Sequence, residues 1–243
     1  SPNGRYVLTG SGDRSVRLWE VGSGIELQRF EGHRGVGTCA AFSPDGGAVL
    51  VGGVDGDIWS WNSLDATVVR RFKGHTARVN CAAYSPDGLF IASGSDDGTA
   101  RLWNVQTGKE EHRFQGPGGS VGFVSFSPDG HYLMAGGGPN PKVQIWEVAT
   151  ARKIQPFDGH TVSANCAMFS SDSKFVVSGD FYGKALAWEA ASGQEIRRFE
   201  GYSASVNSVA VSDDGRYLLT GSGDGKAHLW DLTVGRGVRR FED

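Results

Sequence analysis

Short apolar runs broken by turn residues, with no helical stripe, set the pattern of this chain. Between residues 75 and 116, an apolar run from Val79 to Tyr84 meets Ser85-Pro86-Asp87-Gly88. Pro at the second position of that turn pre-sets φ and Gly at the fourth suits a tight reversal. A second run, Leu89 to Ser93, leads to Asp96-Asp97-Gly98, a hairpin signal. Thr99 to Val105 then alternates, with Ala100, Leu102 and Asn104 on one face and Arg101, Trp103 and Val105 on the other. Thr107-Gly108-Lys109 turns the chain back, and Glu111 to Phe114 reads as a fourth strand. The pattern predicts an antiparallel meander of four short strands.

The same pattern returns along the whole chain. Trp19, Trp61, Trp103, Trp146, Trp188 and Trp230 are separated by 42, 42, 43, 42 and 42 positions. Phe30, Phe72, Phe114, Phe157, Phe199 and Phe241 keep the same beat, as do Ser1, Ser43, Ser85, Ser127, Ser170 and Ser212. Self-similarity at this period implies repeated supersecondary units that bury their apolar faces on one another. A lone four-stranded meander is too thin to be stable, but stacked radially each sheet covers its neighbours. The expected fold is all-β, a β-propeller of four-stranded antiparallel blades forming one domain over 1–243. Its units run 1–32, 33–74, 75–116, 117–158, 159–200 and 201–243. The chain opens at Ser1-Pro2-Asn3-Gly4, a turn that follows a first strand, so the first blade is expected to lack its inner strand. Two readings are open: a six-bladed ring short of one strand, or part of a seven-bladed ring. Without an initiator Met the chain is expected to be a piece of a longer protein.

These residues resemble WD40 repeats. Gly-His pairs stand at Gly32-His33, Gly74-His75 and Gly159-His160, and the Ser-Pro-Asp-Gly turn is intact at Ser43–Gly46, Ser85–Gly88 and Ser127–Gly130. The family's Trp-Asp-like pair reads Trp19-Glu20, Trp61-Asn62, Trp103-Asn104, Trp146-Glu147, Trp188-Glu189 and Trp230-Asp231. The closing run Arg197-Arg198-Phe199-Glu200-Gly201 resembles bacterial WD40 arrays. The resemblance implies a buried hydrogen-bond network of His75, Ser93, Asp97 and Trp103 in one blade. Other units depart from it: Val51 replaces the Ser in the second and Ala135 in the fourth. Tyr182 replaces the Asp in the fifth and Tyr202 the His in the sixth. Those blades are expected to be locally softer. A His with an Asp and a Ser invites a hydrolase reading, but catalytic groups have no reason to recur with the blades.

Composition narrows the function. The 24 basic and 27 acidic residues leave a net charge of −3, without the concentrated basic footprint of a nucleic-acid binder. Arg29, Arg71, Arg113, Arg198 and Arg240 precede the beat phenylalanines, either as a cationic rim or as charges that stop edge-to-edge pairing. Cys39, Cys81 and Cys166 share one place in three repeats, so they are expected as free thiols filling small buried spaces. That fits a reducing, cytoplasmic setting. No apolar run approaches the roughly 18 residues of a membrane helix, and no signal peptide is visible.

No metal spacing, phosphate loop or nucleophile with a base is present, so no cofactor, metal site or catalytic residue is expected. The resemblance implies a non-catalytic interaction scaffold that takes a protein or peptide on its loop face. A docking or sensor module of a larger bacterial signalling protein is the alternative, and a propeller enzyme is the weaker one. Positions expected on or near that face are Arg34, Val54, Arg78, Asp96, Phe181 and Tyr182. Phe181 and Tyr182 put two aromatics in a hairpin where Gly-Asp or Asp-Asp is usual. They are either a contact point or a plug for the space of the lost Asp. Trp59, the one tryptophan off the beat, is either a partner contact or packing for stray apolar surface.

Overall fold

Each run between turn signals forms a strand, and each turn signal reverses the chain. The computed structural model describes residues 1–243 apart from 12, 14, 32–36, 117, 139–141, 155–158 and 243. The first sheet holds β1 (Tyr6–Gly10), β2 (Val16–Glu20) and β3 (Glu26–Phe30). The second holds β4 (Gly37–Phe42), β5 (Ala48–Gly53), β6 (Ile58–Asn62) and β7 (Val68–Phe72). The third holds β8 (Val79–Tyr84), β9 (Phe90–Ser95), β10 (Thr99–Asn104) and β11 (Glu110–Gln115). Next come β12 (Phe123–Phe126), β13 (Tyr132–Gly136) and β14 (Gln144–Glu147). The fifth sheet holds β15 (Ala164–Phe169), β16 (Phe175–Asp180), β17 (Ala185–Glu189) and β18 (Glu195–Phe199). The sixth holds β19 (Val206–Val211), β20 (Tyr217–Ser222), β21 (Ala227–Asp231) and β22 (Arg236–Phe241).

Six sheets of three or four antiparallel strands, with no helix among the described residues, make an all-β fold of the propeller class. The strands fall where the alternation puts them, within two residues at their ends. The first sheet has three strands. In the fourth unit, an isolated bridge from Trp146 to Lys153 follows the three strands.

The chain divides into two compact units, one of residues 1–115 and 120–124, the other of 116–119 and 125–243. In the first unit, Val16, Leu18 and Phe30 of the first sheet bury themselves with Val49, Val51 and Trp61 of the second. Leu50, Ile58 and Phe72 then meet Val79, Ile91 and Trp103 of the third. In the second unit, Val177, Ala185, Ala187 and Phe199 of the fifth sheet pack with Val206 and Leu218 of the sixth. Apolar residues on both faces of a strand are thus used, one face toward each neighbour. The beat tryptophans mark a second regularity. The register between the last two strands of the sheet shifts just before Trp19, Trp61, Trp103, Trp188 and Trp230, a β-bulge that adds local twist.

Close contacts set the spacing of the seams. A Cβ added at Gly94 would lie 2.5 Å from Cγ1 of Val121 and 2.8 Å from Sγ of Cys81. Gly52 has the same relation to Val79 and Cys39, and Gly179 to Val206 and Cys166. Inner-strand side chains stitch the same seams. Thr38 donates to the Val79 carbonyl, Asn80 to that of Val121 at 3.1 Å and Asn165 to that of Val206 at 3.4 Å. Outer strands reach across too, Gln28 to the Leu64 carbonyl and Arg70 to that of Gln106.

The edge arginines are matched by acids of their own sheets. Arg29 pairs with Glu26, Arg113 with Glu110, Arg198 with Glu195, Arg71 with Asp57 and Arg240 with Glu242. That arrangement offers no unmatched cationic rim. The three cysteines are free and half-buried rather than fully buried. Burial still pushes all three thiols up, Cys166 to about 11, because each sulfur lies against a glycine and the seam beside it.

Candidate interaction face

The network in the third sheet begins at Trp103, whose indole N–H donates to Oγ of Ser93 at 2.8 Å. Ser93 then has its own proton for Nε2 of His75, 2.8 Å away, which leaves Nδ1–H of His75 to donate to Asp97 at 2.8 Å. A neutral imidazole suits this order, since each acceptor then meets one donor. Burial pushes His75 below its ordinary value. Burial works against the Asp97 carboxylate as well, yet hydrogen bonds from Thr99, His75 and the Thr76 amide hold it well below the usual carboxylate range. Arg101, 2 % exposed, closes the group by pairing with Asp97 at 3.1 Å and with Glu110 at 2.8 Å. Ser93 is fully buried and its oxygen is occupied by the indole, so no substrate reaches it as a nucleophile.

The fifth sheet contains a second set that the sequence reading missed. Trp188 donates to Ser178 at 2.8 Å, Ser178 meets Nε2 of His160 at 2.7 Å, and Nδ1 of His160 lies 2.8 Å from Asp180. The fifth blade was expected to lack its acid because Tyr182 stands in the place of Asp97. It has one, supplied two residues earlier, from the end of β16. The signal was the run Ser178-Gly179-Asp180, where the third blade has Ser93-Gly94-Ser95. Asp180 also accepts the amides of Tyr182 and Lys184 at 2.9 Å, so it shapes the hairpin too. In the sixth sheet the phenol of Tyr202 takes the histidine's part, 2.7 Å from Thr220 Oγ1, and Trp230 donates to the same oxygen at 3.3 Å. Trp19 donates to Thr9 at 2.7 Å in the first.

With the acid moved, the network meets the hairpin of the fifth sheet through backbone amides, and the side chains of Phe181 and Tyr182 turn outward. Phe181 is 62 % exposed and Tyr182 70 %. Their rings lie 6.3 Å apart, inclined at 58°. Tyr182 therefore plugs nothing. In the first unit, Val54 and Asp96 are exposed in the equivalent hairpins, and Arg78 is exposed just before β8. Asp96 accepts from Asn80 at 2.7 Å and from Ser120 at 2.6 Å, and these bonds hold its carboxyl below the usual range. Asn80 is engaged in this cluster through its amide nitrogen. Arg34 lies outside the described residues. Trp59 is only half-exposed, stacked on Trp61 with centroids 5.8 Å apart and covered by the Arg71 guanidinium at 4.6 Å. It sits within the sheet wall rather than in a hairpin. Among the described residues no group of three or more His, Cys, Asp or Glu is placed to hold a metal ion, and no helix is long and apolar enough to cross a membrane.

The comparisons with known proteins agree with this architecture. The family model described as "WD domain, G-beta repeat" matches residues 1–20, 24–62, 66–104, 108–147, 151–189 and 193–231. A curated protein of Oryza sativa subsp. japonica, named U3 snoRNP-associated protein-like YAOH, is 45 % identical over 42 residues. That stretch is 17 % of this chain and 8 % of the rice protein. The crystal structure of the computationally designed Ika8 protein superposes with a TM-score of 0.88 at 28 % identity, over 98 % of this chain and 71 % of that one.

Proposed function

Since this chain belongs to the WD40 family of WD domain, G-beta repeat proteins, we propose that it is a non-catalytic interaction platform whose hairpin face takes a protein or peptide partner. One observation carries the reading: Phe181 and Tyr182 stand exposed in a hairpin whose structural acid has been relocated to Asp180. Two adjacent aromatics held out by a rigid sheet lose little freedom on binding, and such residues are enriched at contact hot spots. Val54, Arg78 and Asp96 supply the corresponding exposed positions in the first unit. Arg34 is kept as a candidate from its place in the sequence alone, and Trp59 is a poorer one because the sheet already uses it.

A protein partner is favoured over nucleic acid by the near-balanced charge. The rice relative's name concerns a protein of which the chain covers a small part. Three unpaired cysteines support a reducing, cytoplasmic setting. The buried network supports the non-catalytic reading, since its groups are spent on one another. A docking module of a larger, bacterial-type signalling protein would use the same face, and the sequence of the flanking gene decides what is joined to it.

The test is parallel capture from a lysate of the source organism with the wild-type chain and the Phe181→Ala, Tyr182→Ala double variant, quantified by mass spectrometry. A partner retained by the wild type is expected to drop about tenfold or more. Melting should shift by no more than about 2 °C, as for exposed side chains. A large fall in melting temperature with unchanged capture shows the pair to be structural and removes the proposal.

A further inference from the structure

Three departures from the repeat meet in one seam. At the start of the second strand, Tyr6, Phe90, Tyr132, Phe175 and Tyr217 are aromatic, but the second blade has Ala48. In the middle of the third strand, Leu18, Leu102, Ile145, Ala187 and Leu229 are apolar, but the second blade has Ser60. At the end of the first strand, Phe42, Phe126, Phe169 and Val211 are apolar, but the third blade has Tyr84. These positions are far apart in sequence, and stacking of the second sheet on the third brings all three into the lining of one cleft. Val69 and Val105 complete its walls, and its volume is about 400 Å³, open to solvent on one side. The corresponding cleft between the fifth and sixth sheets, lined by Phe175 and Ala187, has a volume of about 60 Å³. There Phe175 stands at the Ala48 place, with Ala187, Ile196 and Leu232 at the places of Ser60, Val69 and Val105, and most of the space is gone.

The chemistry of the cleft is as particular as its size. Tyr84 and Ser60 put two hydroxyls side by side, 3.2 Å apart, in a half-buried place. Burial pushes the Tyr84 phenol up, so it keeps its proton. Two carboxylates, Asp45 and Asp87, stand exposed at the rim, and no basic side chain lines the cleft. Their own turns occupy Oδ1 of each, through Ser43 and Gly47 for Asp45 and through Ser85 and Leu89 for Asp87. Among the described residues the Oδ2 atoms take no hydrogen bond, which leaves them for a ligand. Three departures from the repeat that converge on one solvent-open cleft mark a place where the packing rule has given way to another use.

We propose that this cleft binds a small arylalkylamine, its ring in the space that Ala48 and Ser60 leave and its ammonium on the Asp45 and Asp87 carboxylates. The ring replaces the aromatic side chain that the other five blades supply themselves. The ammonium gains charge-assisted hydrogen bonds at the rim. The size lies within the range of small-molecule sites. The cleft lies at the ends of the strands away from the hairpins, so it does not depend on the interaction face proposed above.

The probe is 2-phenylethylamine, titrated into the 243-residue chain beside 2-phenylethanol and butylamine, with backbone amide shifts of Gly47 and Gly88 followed by NMR. Saturable shifts with the arylalkylamine are expected, with the alcohol and the ringless amine each about tenfold weaker or more. Ala48→Phe and Ser60→Leu, which install residues the sister blades carry, should each weaken binding about tenfold or more without lowering the melting temperature. Asp45→Asn with Asp87→Asn should abolish the preference for amine over alcohol. Equal binding of alcohol and amine by the wild type overturns the proposal, as does unchanged binding by a folded back-filled variant. A Phe-Gly-Gly peptide amide binding about tenfold tighter than the amine would overturn the small-molecule assignment in favour of a chain terminus.

Discussion

Ser93 serves two partners at once, accepting from the Trp103 indole and donating to the His75 imidazole. Ser93→Ala strands two buried polar groups, a loss of about 2–6 kcal/mol at roughly 1–3 for each unsatisfied group. Chemical denaturation should show that loss, and Ser178→Ala in the fifth sheet should match it. Asp180→Ala is expected to lower the melting temperature clearly, whereas Tyr182→Ala is not, because only the former touches His160. The imidazoles also give stability a pH dependence. Burial lowers His75 and His160 from 6.5, so the unfolded chain binds more protons than the native state as pH falls through that region. Their contribution is complete above pH 6.5 and is lost below it. Asp97, held below 3.8, acts the same way at still lower pH. The melting temperature should therefore fall between about pH 7.5 and 5, the region in which a histidine titrates. A flat profile there would contradict buried, neutral imidazoles.

Among the elements, the strands were legible because alternation and turn residues repeat six times, and each repeat corrects the reading of the others. The hairpins were legible only as departures. Reading by fixed offset from the tryptophan finds Asp97 but passes over Asp180, since the acid moved along the strand while its destination in space stayed the same. Ala48, Ser60 and Tyr84 each look like an ordinary substitution until two sheets are packed together. The edge arginines were legible in number, but their pairing with Glu26, Glu110 and Glu195 required the bulge that aligns the two. The seams supply their own prediction. Gly94→Ala drives a methyl against Val121 and Cys81, and overpacking of this kind costs about 1–3 kcal/mol. Gly94→Ala with Val121→Ala should recover part of that loss, and an equal loss in the double variant would argue against the contact as the cause.

At the scale of the molecule, the same devices recur within each compact unit: a glycine against a valine, a thiol beside them, and inner-strand amides tied to the next sheet's carbonyls. Since burial raises all three thiols, a thiol-exchange reagent at about pH 8 should react slowly with the native chain and fully after denaturation, because the thiolate is the reactive form. Rapid native labelling of all three would show the seams to be open in solution. The transfer of the acid from the Asp97 place to Asp180 has a wider meaning. It separates what a blade must keep from what its tip displays, and it does so with two side chains. Ser95→Asp and Asp97→Tyr, with Arg101→Leu to match Leu186, would carry the same arrangement into the third blade. That loop would then become an insertion point for foreign sequences, making the fold a mount for engineered recognition.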